Sequence, residues 1–341
     1  MRKSLLCLAM AITFATPVQG KVDPHDPPPR TPTYPAPAYS EPHSTYRVPV
    51  EGGSIYVRVN GSLKGPLPPV IFIHGGPGGT FDSYLEALAL QYDRAVILYD
   101  QLDTGYSDRP MNPANWRVDR FVDELEAIRK HLGITRWHVA GGSWGGTIAL
   151  EYGARRYPST ASVTMMSPLI STKSWMADAT VLRARLPQDV QTTLTACESK
   201  TPPEAKVCDT ATAAYYKAYV RRGSPTPRQL ARRAERGGAG SNSGGNGALY
   251  KAMWGTSEFR ASGTLINYDG EPLLAKLNGP RTLFMTGQYD EARPETVGAF
   301  ALRVPGAEFA VIPGAAHGLM SDRPAETLAL LKGFLARHDG E

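Results

Sequence analysis

Residues 137–157, WHVAGGSWGGTIALEYGARRY, are the most informative segment of the sequence. It begins with a short apolar run that predicts a buried strand and continues into a helical run. Between the two, Gly141, Ser143 and Gly145 form the pattern G-x-S-x-G at a strand-to-helix turn. Glycine on both sides lets strand and helix approach so closely that the Ser143 hydroxyl projects into the open. The pattern predicts a nucleophilic serine; the alternative is a glycine-rich turn with an incidental serine.

Similar strands recur on both sides of this turn. Short apolar runs bounded by polar or glycine residues are VIFIHG (70–75), AVILYD (95–100), SVTMMS (162–167), TLFMTG (282–287) and FAVIPG (309–314). Helical periodicity fills 118–132 and 324–338. RVPVEGGSIYVRVNG (47–61) predicts a hairpin. The alternation predicts an α/β fold with a mostly parallel central sheet and helices on both faces.

One long segment interrupts the alternation. Residues 172–267 contain helical, basic and glycine-rich sequence without a convincing buried strand. We therefore expect a helical cap inserted into a core of residues 46–171 and 268–341. Within it, GGAGSNSGGNG (237–247) predicts a mobile loop, and the arginines of RRGSPTPRQLARRAER (221–236) predict a solvated helix face rather than a polyanion site.

The N-terminus carries the features of an export signal. Arg2 and Lys3 precede an apolar run, and small residues end at Gly20, which predicts a signal peptide over residues 1–20 with cleavage after Gly20. The alternative is an uncleaved hydrophobic N-terminus. The apolar run is too short to span a bilayer, so we expect no stable membrane insertion. Residues 21–45 are rich in proline and predict an extended arm. The expected location is periplasmic or secreted.

Composition excludes several classes of protein. The chain has 341 residues, 42% hydrophobic and 20% charged, with 3 cysteines. These values exclude a disulfide-framed miniprotein, a collagenous repeat and a wholly disordered chain. The net charge is +5, and removal of Arg2 and Lys3 with the signal peptide would lower it by two units to +3. A positive charge this small does not indicate a nucleic-acid partner. In an oxidising compartment Cys197 and Cys208 could form a disulfide; two independent buried thiols are the alternative.

A serine nucleophile needs a base and an acid that orients it. On this type of sheet the order along the chain is serine, then acid, then histidine. Asp290 follows the strand TLFMTG and His317 follows FAVIPG, so both lie at the carboxyl ends of late strands, where ligand sites of open sheets form. We predict a triad of Ser143, Asp290 and His317. No metal-ligand spacing is present, and we expect neither a metal nor a cofactor.

The predicted chemistry also needs donors for a developing oxyanion. HGGPGG (74–79) follows the first central strand, and the backbone N–H groups of Gly76 and Trp144 could converge on a substrate carbonyl. A phosphate-binding loop is the rival interpretation. It is disfavoured because the run lacks both a GxGxxG match and the P-loop lysine.

Five segments in order resemble the proline iminopeptidase family of α/β-hydrolases: HGGPGG, YDQLDTGYS (99–107), GGSWGG (141–146), MWGTSEF (253–259) and GQYDEARP (287–294). The resemblance covers residues 46 to 338. It implies an α/β-hydrolase fold with an inserted cap, the same triad of Ser143, Asp290 and His317, and Gly76 and Trp144 as oxyanion donors. The chain departs from the family where Leu102 and Asp103 follow Asp-Gln in place of an Arg-Gly or similar pair.

The resemblance also implies that Glu258 and Glu291 bind the free N-terminal amine of a substrate. A protonated amine in a dry pocket needs a close anionic partner. Without the resemblance, Glu258 would be interpreted as a surface residue of the cap and Glu291 as a helix N-terminal acid. Tyr250 and Trp254 could wall a slot for the first side chain, although core packing explains them equally well.

We therefore expect an exported serine hydrolase that releases an N-terminal residue, preferentially proline, from short peptides or amino-acid amides through an acyl-enzyme. One alternative is an esterase, lactonase or amidase that keeps the triad but does not recognise a free amine. Another is a binding protein on a hydrolase scaffold. The expected partner is a small peptide or amino-acid amide.

Overall fold

The computed structural model describes residues 41–235 and 244–340. The predicted signal peptide, most of the proline-rich arm and the centre of the glycine tract lie outside these ranges, so those interpretations stay predictions.

A mixed eight-stranded sheet forms the core. Its order is β1-β2-β4-β3-β5-β6-β9-β10, in which β1 and β2 are antiparallel and the six strands from β4 to β10 run parallel. The strands are β1 (Ser44–Val50), β2 (Gly53–Asn60), β3 (Val70–Ile73), β4 (Val96–Asp100), β5 (Trp137–Gly142), β6 (Thr160–Met166), β9 (Thr282–Gly287) and β10 (Glu308–Ile312). The hairpin and the six parallel strands predicted from sequence are confirmed.

Helices cover both faces of the sheet. One apolar cluster packs Phe121 and Ile148 against one face, and the other packs Phe81 and Phe334 against the opposite face. The helices outside the cap are α1 (Val118–His131), α2 (Trp144–Ala154), α8 (Pro294–Leu302), α9 (Leu319–Asp322) and α10 (Pro324–Arg337), with 3-10 segments at Phe81–Tyr92, Pro113–Asn115, Glu271–Lys276 and Gly279–Arg281. The predicted helices at 118–132 and 324–338 are confirmed.

The insertion between β6 and β9 has its own small apolar cluster, which includes Leu182, Leu194 and Tyr215. Its helices are α3 (Thr172–Arg183), α4 (Gln188–Cys197), α5 (Ala205–Tyr219), α6 (Pro227–Glu235) and α7 (Gly247–Met253), followed by a 3-10 segment at Thr264–Asn267. It also contains a two-stranded ribbon, β7 (Gly255–Ser257) with β8 (Arg260–Ala261). The sequence did not predict this ribbon because its strands are only two and three residues long.

Two predictions from the sequence are wrong: the end of the proline-rich arm at residue 45 and the solvated helix face. Thr45 pairs with Arg58, so β1 begins inside the segment assigned to the arm. The arginines of α6 are not simply a solvated face: Arg228 and Arg232 are buried. Arg228 donates to the Leu85 carbonyl, and Arg232 forms an ion pair with Asp82. These contacts bind α6 to the 3-10 segment at Phe81–Tyr92.

Cys197 and Cys208 form a disulfide that joins α4 to α5. Closing a loop with a sequence separation of 11 residues restricts the unfolded chain and stabilises the fold by about 3 kcal/mol. Replacing both cysteines by serine is therefore expected to lower the midpoint of urea unfolding, measured under oxidising conditions. An unchanged midpoint would contradict a stabilising bridge.

No helix in the described ranges is both long and apolar enough to cross a membrane. The described residues also contain no group of three or more histidine, cysteine or acidic side chains placed to hold a metal ion.

Candidate active site

Ser143 lies at the sharp turn between β5 and α2. Its backbone adopts φ 56° and ψ −124°, which an L-residue rarely adopts. Gly141 and Gly145 have to be glycine because the backbone of a neighbouring segment lies too close for a side chain. A Cβ on Gly141 would lie 2.0 Å from the Gly145 carbonyl oxygen, and a Cβ on Gly145 would lie 2.1 Å from the Ile73 carbonyl oxygen. Strand and helix therefore pack backbone to backbone, and the turn presents the Ser143 side chain to a cavity.

Asp290 follows β9 and is fixed by a dense set of hydrogen bonds. One carboxylate oxygen accepts from the Thr286 hydroxyl (3.0 Å), the Gly287 N–H (3.0 Å) and the Ser167 hydroxyl. The other accepts from the Ala292 N–H at 2.9 Å and lies 2.9 Å from His317 Nδ1. This buried carboxylate is therefore held in one orientation toward the imidazole.

His317 follows β10 and meets Asp290 through Nδ1. Trp175 of α3 presses against the imidazole ring with centroids 5.5 Å apart and planes at 86°. Burial by itself would lower the pKa of His317, but the carboxylates of Asp290, Glu258 and Asp322 raise it above its ordinary value. Ser143 and His317 line the same cavity, although the described contacts include no hydrogen bond between their side chains. Such bonds often form only when substrate is bound.

The cap holds the histidine loop directly. The carbonyl of Tyr219, at the end of α5, accepts from the backbone N–H groups of both Glu291 (3.2 Å) and His317 (3.1 Å). The buried Asp322 carboxylate accepts from the N–H groups of Gly223 in the cap and Ala316 beside His317. Cap and core are thus joined at the residues nearest the imidazole.

The two predicted oxyanion donors lie on loops joined by Gln101. Trp144 is the first residue of α2, where backbone N–H groups have no partner within the helix. Its indole N–H donates to Gln101 Oε1 at 3.0 Å, and Gln101 Nε2 donates to the His74 carbonyl at 2.9 Å. His74 lies two residues before Gly76. Gln101 therefore ties the Gly76 loop and the Trp144 turn to each other.

Glu258 and Glu291 form a carboxylate cluster beside the imidazole. The Glu291 side chain is fully buried, and Oε1 lies 3.8 Å from His317 Nε2. Neither carboxylate oxygen of Glu291 has a donor within normal hydrogen-bond geometry among the described residues, although the Tyr215 hydroxyl lies near enough to lower its pKa. Burial raises the pKa of Glu291 well above its usual range, and the charges of Glu258 and Asp290 raise it further. Burial also raises the pKa of Glu258, opposed by the charge of His317 and by the nearby Tyr250 hydroxyl.

The cavity at the triad has a volume of about 630 Å³, which is suited to a small-molecule or short-peptide ligand. Ser143, His317, Gly76, Glu258 and Tyr250 all line it. Trp254 does not. It is buried behind Trp175, with ring centroids 5.9 Å apart, and its indole N–H donates to the Ser257 carbonyl. Trp254 therefore supports the cavity wall through Trp175 and is not itself the wall.

The loop that departs from the family pattern has a defined conformation. Asp103 has φ 68°, and its buried carboxylate accepts from the Met111 N–H and the Trp116 indole N–H. Its carbonyl accepts from the Asn246 side chain, and Asn246 also bonds through its backbone to Gly78. Asn246 thereby connects this loop, the Gly76 loop and the start of α7.

Not all residues of the site have a signal in the sequence. Trp175 and Tyr219 act through contacts between distant segments, whereas Ser167 ends a predicted strand and Gln101 lies in the motif YDQLDTGYS. Only the fold places them near Ser143 and His317.

Comparison with known proteins agrees with this geometry. A family model described as the alpha/beta hydrolase fold matches residues 68–324. A proline iminopeptidase of Heyndrickxia coagulans is 38% identical over 267 residues, covering 78% of this chain and 90% of that protein. The solved structure of VinJ superposes with a TM-score of 0.78 at 30% identity, covering 87% of this chain and all of that one. The proline iminopeptidase of Mycobacterium smegmatis gives a TM-score of 0.75 at 31% identity, covering 87% and 99% of the two chains.

The fold, the serine turn and these relatives agree on one assignment. The chain belongs to the proline iminopeptidase family of α/β-hydrolases.

Proposed function

We propose that this aminopeptidase releases an N-terminal residue, preferentially proline, from short peptides or amino-acid amides through an acyl-enzyme. The observation that carries the proposal is the Glu258 carboxylate on the cavity that Ser143 and His317 line, together with the buried Glu291 carboxylate outside that lining and 3.8 Å from His317 Nε2. A buried carboxylate without a hydrogen-bond partner is costly unless a cation joins it. The protonated amine of a substrate supplies that cation.

The geometry supports a complete reaction cycle. Ser143 attacks the carbonyl of the first residue while His317 Nε2 takes the hydroxyl proton, and Asp290 stabilises the resulting imidazolium. The N–H groups of Gly76 and Trp144 stabilise the oxyanion. His317 then returns the proton to the departing nitrogen, which leaves. Water, activated by His317, hydrolyses the acyl-enzyme and releases the amino acid.

The preference for proline is supported by the relatives, because the aligned protein at 38% identity and the solved structure at 31% identity are both named proline iminopeptidases. The panel that tests it contains prolyl, alanyl and phenylalanyl arylamides together with a simple acetate ester. A prolyl preference is expected. Activity on the ester alone would be consistent with the catalytic triad. It would support the alternative of an esterase or lactonase that does not recognise a free amine.

Replacing Glu258 by Gln is expected to lower kcat/KM for prolyl arylamide by about 100-fold, because a buried ammonium would lose one of its anionic partners. Hydrolysis of the acetate ester, which has no amine, should change far less. Glu326→Gln on α10 is the matched control, since that carboxylate is 45% exposed and outside the cavity lining. Equal losses on both substrates would argue against an amine-binding role for Glu258.

We also propose that the protein is exported. The basic and apolar segment over residues 1–20 supports this, and so does the Cys197–Cys208 disulfide, which persists in oxidising compartments. Fractionation of the producing cell, followed by N-terminal sequencing, should give a chain that starts at Lys21. A chain confined to the cytosol with Met1 intact would overturn the proposal.

A further inference from the structure

His317 Nε2 has a second acidic neighbour besides the triad acid. While Asp290 occupies Nδ1 at 2.9 Å, Glu291 Oε1 lies 3.8 Å from Nε2, the nitrogen that must accept the Ser143 proton. The Glu291 side chain is fully buried, and among the described residues neither of its oxygens has a donor within normal hydrogen-bond geometry, with only the Tyr215 hydroxyl nearby. A buried carboxylate without an arginine or lysine partner in the described ion pairs therefore lies beside the general base.

The groups that raise the pKa of Glu291 and His317 are carboxylates, and the cation Arg221 lies on the lining of the cavity that His317 also lines. Glu258, from the β7–β8 turn, Asp290 and Asp322 face this pair as carboxylates. Three phenols complete the set, and they come from α5 and α7: Tyr215, Tyr216 and Tyr250. The carboxylates raise the pKa of both Glu291 and His317, although burial alone would lower that of His317.

The charge of the carboxylates around Glu291 and His317 favours one bound proton on this pair when no substrate is bound. With no proton on Glu291 or His317, the four carboxylates of Glu258, Asp290, Glu291 and Asp322 give this cluster an excess of negative charge. With one proton on the pair, that excess of negative charge falls by one unit. Groups coupled this closely titrate together, so the proton belongs to the pair and not to one residue.

We propose that Glu291 and His317 share one proton in the empty site, and that the substrate ammonium expels it to solvent, converting His317 into the free base. This inference rests on the proposed function, because it requires the amine to bind at Glu258 and Glu291. The ammonium stabilises ionised Glu291 and repels an imidazolium, so it replaces the shared proton as the local cation. Amine recognition then controls kcat as well as binding, since a substrate without an amine leaves the base protonated.

Calorimetry of a non-turnover complex tests this directly. Prolinamide is titrated into the Ser143→Ala variant at about pH 6.5, where an α-amino group is protonated, in buffers with different ionisation enthalpies. The dependence of the heat on the buffer gives the number of protons exchanged. We expect release of about one proton per bound prolinamide. Binding without release would overturn the inference and leave the proposed function intact, whereas no binding would overturn both.

Two variants assign the proton. Adding Glu291→Gln to Ser143→Ala keeps the side-chain shape but removes the acid, so prolinamide is expected to bind more weakly and without proton release. Adding Glu258→Gln also weakens binding, yet release should persist at saturation because the contact of Glu291 with His317 remains. Release that survives Glu291→Gln, or that is lost only with Glu258→Gln, would overturn the assignment.

Kinetics of the unmodified active site provide an independent test. The pH profile of kcat/KM reports groups of the free enzyme, and that of kcat reports the substrate complex. For prolyl arylamide, the midpoint of the acid limb in the pH profile of kcat should lie about 1 pH unit below the corresponding midpoint for kcat/KM. The reason is that the bound ammonium lowers the pKa of His317. Coincident limbs would contradict the mechanism.

Discussion

The Ser143→Ala variant is expected to lose about 10⁶-fold in kcat on prolyl arylamide, leaving only the residual rate that binding and the oxyanion donors support. The loss is the largest we predict, because the first covalent bond of the reaction forms at the Ser143 hydroxyl. The measurement is steady-state hydrolysis with enough enzyme to detect the residual rate.

The control for this loss is structural integrity. Alanine has a Cβ like serine, so the strained φ of 56° at this position is unchanged, and thermal unfolding should match that of the parent protein. Ser224→Ala, at an exposed position of the cap, should retain full activity. A fluorophosphonate probe should label the parent and not Ser143→Ala. Parent protein that resists the probe would support the alternative of a binding protein without catalysis.

Replacing Asp290 by Asn is expected to lower kcat by about 10⁴-fold near neutral pH. The amide cannot stabilise the imidazolium, and it no longer selects the tautomer in which Nδ1 carries the proton. It would also place NH₂ hydrogens against some of the donors that now bind the carboxylate, which include Thr286, Gly287 and Ala292. KM should change little, because Asp290 is absent from the cavity lining.

Asp178→Asn is the matched control for this variant. Asp178 is also buried. Its carboxylate accepts a hydrogen bond from the Thr296 hydroxyl and forms an ion pair with Arg293, which follows Asp290 in the same loop. Its replacement perturbs packing near the loop without removing the partner of His317. A loss of activity as large as that of Asp290→Asn would show that loop distortion, and not the imidazole contact, explains the effect.

The sheet and the positions of the triad were predictable because they depend on local patterns. Each central strand is a short apolar run, and parallel strands bring their carboxyl ends to one edge. Gly141 and Gly145 mark the serine turn by their spacing alone. Asp290 and His317 could then be chosen as the acid and base that follow late strands.

The features that sequence did not predict depend on contacts between distant segments. Arg232 lies in a basic run that is typical of a solvated face, yet tertiary packing buries it against Asp82. Trp254 lies within a family motif, but Trp175, from another helix, takes the place beside His317. The 3.8 Å contact between Glu291 and His317 requires β9 and β10 to be adjacent, and no spacing along the chain encodes that distance.

The proposed function depends on recognition of a free N-terminal amine by this serine hydrolase. The most direct measurement compares kcat/KM for prolyl arylamide and N-acetyl-prolyl arylamide with the same purified protein, using Ser143→Ala as the blank. The two substrates share the scissile bond and the leaving group and differ at the amine, whose charge acetylation removes. We predict a value at least about 100-fold lower for the acetylated substrate. Equal values for the two substrates would show that the enzyme does not recognise the free amine.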